Sequence, residues 1–337
     1  MSFNQIAVRT AYILSFICTI GVMIGIIFLT ESKTIIFENS NQEYVEQADD
    51  TIVPFPVSVN IHTEIIDTNP EIDNYFYNTL ANAPADKKHW WNQVAAVFAS
   101  KAWYQNLASP ISRIIVIWPG ERKEEIAKNI GDVLGWKVED RAQFISLIDS
   151  APPILSEGKY FPGQYVSHKK ATPEDIYQAI EEKFSVEILQ RYTPEVEAQV
   201  PLQDALIIAS LLEREASDFN NMREVAGVIW NRLFIDMPLQ LDATLQYVKG
   251  GNASEKKWWP IVKPRDKFLK SPYNTYSNKG LPPTPIANPS AEAVLAALNP
   301  IQTECLYYFH TDKGQYYCSK TYEEHVANLK KLYGKGS

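Results

Sequence analysis

Metal-ligating residues are scarce in this chain of 337 residues, which has five histidines and three cysteines. The histidines are scattered, and neither His-Glu-x-x-His nor a paired Cys-x-x-Cys occurs. That excludes the familiar zinc motifs, and the sequence implies neither a metal nor another cofactor. Positive charge is also in short supply: Asp and Glu outnumber Lys and Arg by 40 to 32, a formal net charge of -8. With no basic stripe and no RNA-binding signature, nucleic acid is excluded as the main partner. The cluster Lys87-Lys88-His89 is short enough to be a solvated turn. Internal repeats and low-complexity runs are absent, and the length allows two domains, or one with appendages.

Long hydrophobic runs reduce to a single one. From Thr10 through Thr30 there is no charged residue, which is the length of one bilayer-crossing helix. Phe28-Leu29-Thr30-Glu31-Ser32 offers no convincing small-x-small cleavage site, so an anchor fits better than a signal peptide. Arg9 precedes the span, and Glu31, Lys33 and Glu38 follow it. This weak positive-inside bias predicts a cytoplasmic N-terminus at 1–10, a transmembrane helix at 11–30, and the rest outside the plasma membrane. Cys18 lies in the span as packing. Cys305 and Cys318 flank a predicted hairpin; a cross-strand disulfide fits an oxidising compartment, and two buried thiols fit at least as well. Aromatics make up 12% of the chain. Their flat faces suit sugar stacking, although core packing is their usual use.

The rest reads as α+β. A polar stretch to about Asp50 is a tether, residues 53–66 alternate as a strand pair, and 70–103 have helical periodicity. Arg113–Trp118 reads as a strand, Pro119-Gly120 as a turn, Glu121–Leu134 and Arg141–Ile148 as helices, and 157–166 as a loop into a returning strand. Thr172 caps a further helix, and 193–200 is a separator. Past Asn221 comes an amphipathic helix to about Asp236, then a lysine- and tryptophan-rich loop. The proline-dense segment 280–289 has few backbone donors and suits the edge of a groove. A short helix (290–298), the hairpin and a closing helix (321–332) complete the chain.

One helix stands out, Asp204 to Ser217, with Pro201 at its first turn. Its apolar stripe runs Ala205, Ile208, Leu211, Leu212 and then meets Glu215, whereas Glu213 lies about 200° of rotation away. Two acids two positions apart cannot look into one site, so at most one is central. Burial of Glu215 would raise its pKa and keep it protonated, as a general acid near neutral pH requires. A Glu at the end of such a stripe is more often a helix-end residue reaching solvent or pairing with an Arg. The rest of the chain has to decide.

It does so through an ordered set of segments. These are Leu206–Glu215, Val225–Leu233, Leu239-Gln-Leu-Asp242, Tyr273-Asn-Thr-Tyr276, Gly280-Leu-Pro-Pro283, Pro285–Pro289 and Tyr322-Glu-Glu-His325. Together they resemble the YceG-like, or MltG, family of endolytic murein transglycosylases, and the match covers Pro201 to Leu332. Upstream, 114–166 resembles that family's LysM-like subdomain, with Ile-Trp-Pro-Gly-Glu121 at the strand-to-helix turn. Some positions depart from the pattern: Ala216 follows Glu215 where many lytic transglycosylases have Ser or Thr. Ala243 stands where Pro is common, and Tyr316 and Cys318 replace a His and an aromatic.

The resemblance implies a LysM-like subdomain at 113–170, a helical linker at 171–200 and a YceG-like α+β catalytic domain at 201–337, with 31–112 an unassigned membrane-proximal region. It implies an anchored enzyme that cuts peptidoglycan strands internally between MurNAc and GlcNAc, leaving 1,6-anhydro-MurNAc ends and limiting strand length. Its partners would be glycan strands, the membrane through one helix, and neighbouring cell-wall synthases. Glu215 would be the catalytic residue. Glu213, Gln240, Asp242, Tyr273, Asn274 and Tyr276 would bind substrate, while Asn231 and Arg232 read as structural. The competing readings are a hydrolase using Asp242 or Asp218 as second carboxylate, and a non-catalytic glycan-binding scaffold.

Overall fold

A computed structural model describes residues 53–67, 111–151, 155–250, 257–312 and 314–334. The expected membrane span and the helices expected at 70–103 lie outside the described residues. Among those described, no helix is long and apolar enough to cross a membrane.

Within the described residues, helices mix with three separate two-stranded antiparallel sheets, in keeping with the expected α+β class. A short pair, β1 (Val59–Asn60) and β2 (Ile65–Ile66), opens the fold. Next, β3 (Ser112–Ile117) leads through α1 (Lys123–Leu134) and α2 (Val138–Ser150) to β4 (Gly163–His168). The outer strands pair antiparallel, Ser112 opposite His168 and Ile117 opposite Gly163. The turn into α1 needs φ +79° at Gly120, a conformation that glycine adopts freely. Ile115, Ile117, Ile126, Ile130, Phe144 and Tyr160 fill this unit's core.

Helix α3 (Pro173–Glu187) starts at a reciprocal capping box between Thr172 and Asp175. Its first half buries Ile176 and Ile180 in the βααβ core, and its second half buries Phe184 in the main core. The stretch expected as a linker is therefore a shared, packed element. The separator expected at 193–200 is also a short helix, α4 (Pro194–Gln199), because Pro194 occupies the first turn, where its missing N–H costs nothing.

The main core is built on α5 (Leu202–Glu215), α6 (Phe219–Phe234) and α8 (Ala291–Leu298), with α7 (Asp242–Gly250) beside them. Residues 205–212 of α5 are all buried, so the helix is surrounded rather than striped. Gly227 sits mid-α6 because a Cβ there would stand 2.3 Å from the Ile301 carbonyl. Phe55, Val59 and Ile66 belong to the same core, so 53–67 is part of the main body, although the sequence left it unassigned. The last elements are the hairpin β5 (Tyr307–His310) and β6 (Tyr316–Ser319), then α9 (Tyr322–Tyr333), capped by Thr321. Cys305 and Cys318 form a disulfide that closes this hairpin.

Candidate active site

Helix α5 ends where Ala216 turns extended (φ -120°, ψ 155°), and its two acids part there. Glu213 accepts from the Ser290 N–H (2.8 Å) and hydroxyl (2.6 Å), tying α5 to the start of α8. Glu215 accepts instead from the Tyr308 hydroxyl at 3.0 Å, on β5 of the hairpin. The divergence read from the helical rotation holds, although the one-sided stripe used to argue it does not exist.

Glu215 keeps part of its surface open while protein surrounds its carboxyl group. Burial is the largest influence and, with the nearby Asp242 charge, pushes its pKa up to about 7. The Tyr308 hydroxyl, the Ala243 backbone N–H and Arg214 pull the other way by favouring the carboxylate. Ala243 is in the first turn of α7, whose N-terminal dipole has the same sign of effect.

That helix start is held in place from several sides. The Gln240 and Leu241 N–H groups donate to the Thr275 carbonyl and hydroxyl, each at 3.0 Å, and the Thr244 and Thr275 hydroxyls meet at 3.0 Å. These bonds hold Gln240 at φ +52°, which costs a non-glycine residue about 1–3 kcal/mol. Arg232 donates to the carbonyls of Leu306 and Leu239, both at 2.6 Å. One buried guanidinium thus positions the strand bearing Tyr308 and the turn bearing Asp242. Asn231 donates to the Thr303 carbonyl (2.7 Å) on the same approach. Both residues have the structural role that the sequence suggested.

The expected site residues fall into two groups. Asp242 and Gln240 are exposed, the Asp242 charge acts on Glu215, and Tyr276 donates to Asp242 at 2.7 Å. Asn274 departs from expectation: it is fully buried, its amide nitrogen donates to the Lys267 (3.0 Å) and Leu269 (2.8 Å) carbonyls, and its oxygen accepts from the Tyr276 N–H (2.9 Å). No part of that side chain is left for a sugar. Tyr273 packs on Tyr247 at 4.9 Å and bonds Thr284 at 2.8 Å, and Glu213 is committed to Ser290. Framework roles thus occupy Glu213, Tyr273 and Asn274. Asp218, a candidate second carboxylate, caps α6 by accepting from the Asn221 N–H (3.0 Å).

Raised pKa values alone would not have singled out Glu215, since burial raises Glu121 to about 7 and Glu157 well above its ordinary value. Glu157 is sealed from solvent and accepts from the Lys123 N–H at the start of α1. Both Glu121 oxygens are filled, by the Trp118 N–H (2.9 Å) and by Asn129 (3.0 Å). Glu215, itself partly exposed, has the exposed Asp242 as its charged neighbour. Sequence reasoning missed Tyr308, Thr244 and Thr275. Tyr307-Tyr-Phe-His310 reads as one strand of a hairpin, with nothing in it to say which side chain meets Glu215. Among the described residues, no group of His, Cys, Asp and Glu could hold a metal ion.

Comparison with known proteins gives consistent matches. The YceG-like family matches residues 89–331. The endolytic murein transglycosylase of Bacillus subtilis (strain 168) is 36% identical over 171 residues, 50% of this chain and 46% of the relative. The endolytic murein transglycosylase of Streptococcus pneumoniae serotype 2 (strain D39) is 27% identical over 249 residues, 65% of this chain and 44% of the relative. The chain thus spans less than half the length of both curated relatives. A crystal structure of a YceG-like protein from Listeria monocytogenes superposes with TM-score 0.56 at 28% identity, covering 77% of this chain and 91% of that one.

Proposed function

The chain belongs to the YceG-like family, and from that premise we propose that it is an endolytic lytic transglycosylase of peptidoglycan with Glu215 as its acid and base. The observation that carries the proposal is the placement of Glu215: a carboxyl group raised to about 7 and hydrogen-bonded to Tyr308, on a partly exposed residue beside the exposed Asp242. Near neutral pH such a group can hold the proton that a departing glycosidic oxygen needs.

Glu215 protonates the oxygen between MurNAc and GlcNAc. As carboxylate it then takes the proton from the muramic C6 hydroxyl, which attacks its own anomeric carbon and closes a 1,6-anhydro ring. The nucleophile is intramolecular and already at high effective concentration, so no second carboxylate has to activate water. While Glu215 is ionised, the Tyr308 hydroxyl and the Ala243 N–H hold its charge. Gln240, Asp242 and Tyr276 are the substrate contacts in this reading, with Asp242 also facing the positive charge that builds on the sugar ring.

The same reading includes a helix at residues 11–30 anchoring the chain in the plasma membrane, with the catalytic domain outside and cell-wall synthases as neighbours. The uncharged run from Thr10 to Thr30 supports the anchor. The βααβ unit at 113–170 is proposed as the LysM-like subdomain, on its antiparallel β3–β4 pair enclosing two helices.

The test is mass analysis of fragments after the detergent-solubilised chain acts on purified peptidoglycan. Fragments ending in 1,6-anhydro-MurNAc, lost in Glu215→Gln, are expected. Reducing ends would replace this mechanism with hydrolysis assisted by Asp242. Strand binding with no cleavage would make the chain a scaffold.

A further inference from the structure

Residues 257–270 carry Lys257, Lys263, Arg265, Lys267 and Lys270 against one acid, Asp266, in a chain of net charge -8. Asp266 is buried and already spent: it pairs with Lys249 (2.6 Å) and accepts from the Lys263 N–H (2.7 Å). Lys249 also donates to the Ile261 carbonyl at 2.7 Å, and the buried Asn274 holds the carbonyls of Lys267 and Leu269. The loop is therefore pinned from within, while the side chains of Lys263, Arg265 and Lys267 stand exposed. A loop ordered before binding loses less entropy when it captures an ion.

The loop also reaches the acid's surroundings. The Lys267 ammonium lies 4.8 Å from the centre of the Tyr276 ring, the Tyr276 hydroxyl donates to Asp242, and the Asp242 charge acts on Glu215. A chain of adjoining side chains thus runs from the basic loop to the reacting group.

An uncharged sugar backbone offers these cations nothing. The negative charge of a glycan strand is on the substituents of its muramic acid units, as the lactyl carboxylate where it is free or as the carboxylates of an attached peptide stem. We propose that Lys263, Arg265 and Lys267 form a subsite for the carboxylates of peptide stems, so that strands bearing acidic stems are held in preference to strands without them. This rests on the glycan-cleaving reading and adds a specificity to its site.

The experiment uses the full chain in detergent and the triple variant Lys263→Gln, Arg265→Gln, Lys267→Gln. Three substrates are compared: uncrosslinked strands with acidic stems, the same strands with stem carboxylates amidated, and strands stripped of stems so that only lactyl carboxylates remain. Each exposed ion pair is worth about two- to threefold in binding, so the variant is expected to raise KM about tenfold on acidic stems while kcat changes less than twofold. Amidated and stripped strands should show the raised KM with both proteins, and added salt should erase the difference. Equal KM for both proteins on acidic stems would overturn the subsite. Stripped strands held as tightly as peptide-bearing ones would transfer it to the lactyl group and overturn the stem assignment. Binding of fluorescent strands to Glu215→Gln, with and without the three substitutions, reads the subsite independently. If nothing is cleaved, the enzymatic reading fails while the subsite is still decided.

Discussion

Replacing Tyr308 by Phe removes one oxygen from the molecule and tests what governs the acid. The Tyr308 hydroxyl donates to Glu215 at 3.0 Å and so favours the ionised carboxylate. Burial and Asp242 favour the neutral form, and the balance puts the pKa at about 7. Other titratable groups face this pair: the charged Arg214 on the acid's own helix and Arg232 on α6 near Tyr308, and the neutral Tyr276 hydroxyl beside Asp242. A hydrogen bond to a charged group contributes about 1.5–3 kcal/mol, and one pKa unit corresponds to about 1.36 kcal/mol. Water entering beside the Phe ring returns part of that, so the Glu215 pKa should rise by about one unit. The acid must be protonated to start the reaction, so activity falls as pH rises through its pKa. In Tyr308→Phe the alkaline limb of kcat/KM, which reports the free enzyme, should move up by about one unit even if the maximal rate drops. A general loss of structure would lower the whole profile without moving the limb. An unmoved limb, or one shifted to lower pH, would refute the reasoning.

Three further outcomes follow from the same geometry. Asp242→Asn removes a negative neighbour, so the alkaline limb should move to lower pH, opposite in sign to Tyr308→Phe, in the same assay. Glu215→Gln should raise thermal stability at pH 8 but hardly at pH 5. Between its ordinary value of 4.5 and about 7 the native state retains a proton that the unfolded chain has released, so native stability falls as pH rises across that window. The amide escapes a penalty of about 1–3 kcal/mol, visible by calorimetry; a lower melting temperature at pH 8 would contradict it. Reducing the Cys305–Cys318 bond, 13 residues apart in sequence, should cost about 3 kcal/mol of stability by releasing the unfolded chain. It should also slow cleavage, because the hairpin carries Tyr308; unchanged melting and activity in reductant would refute this.

Local sequence determined much of the molecule. Thr172 with Asp175 and Thr321 with Glu324 set helix starts because a short side chain can reach backbone donors only three residues on. The rotation between Glu213 and Glu215 determined that one acid would face away, since 3.6 residues per turn leaves no alternative. Tertiary structure decided what each acid meets. Glu213 found Ser290, and Glu215 found a hydroxyl 93 positions further along the chain. Asn274 reads from sequence like a sugar-binding amide, and only packing decided that its three hydrogen bonds turn inward. The disulfide was likewise open until the hairpin register set Tyr308 opposite Cys318 and brought the Cα atoms of Cys305 and Cys318 within 5.7 Å. The physical reason is common to these cases. Caps and helical rotation depend on neighbours a few bonds away, whereas the pKa of a buried acid depends on groups that only the completed core brings together.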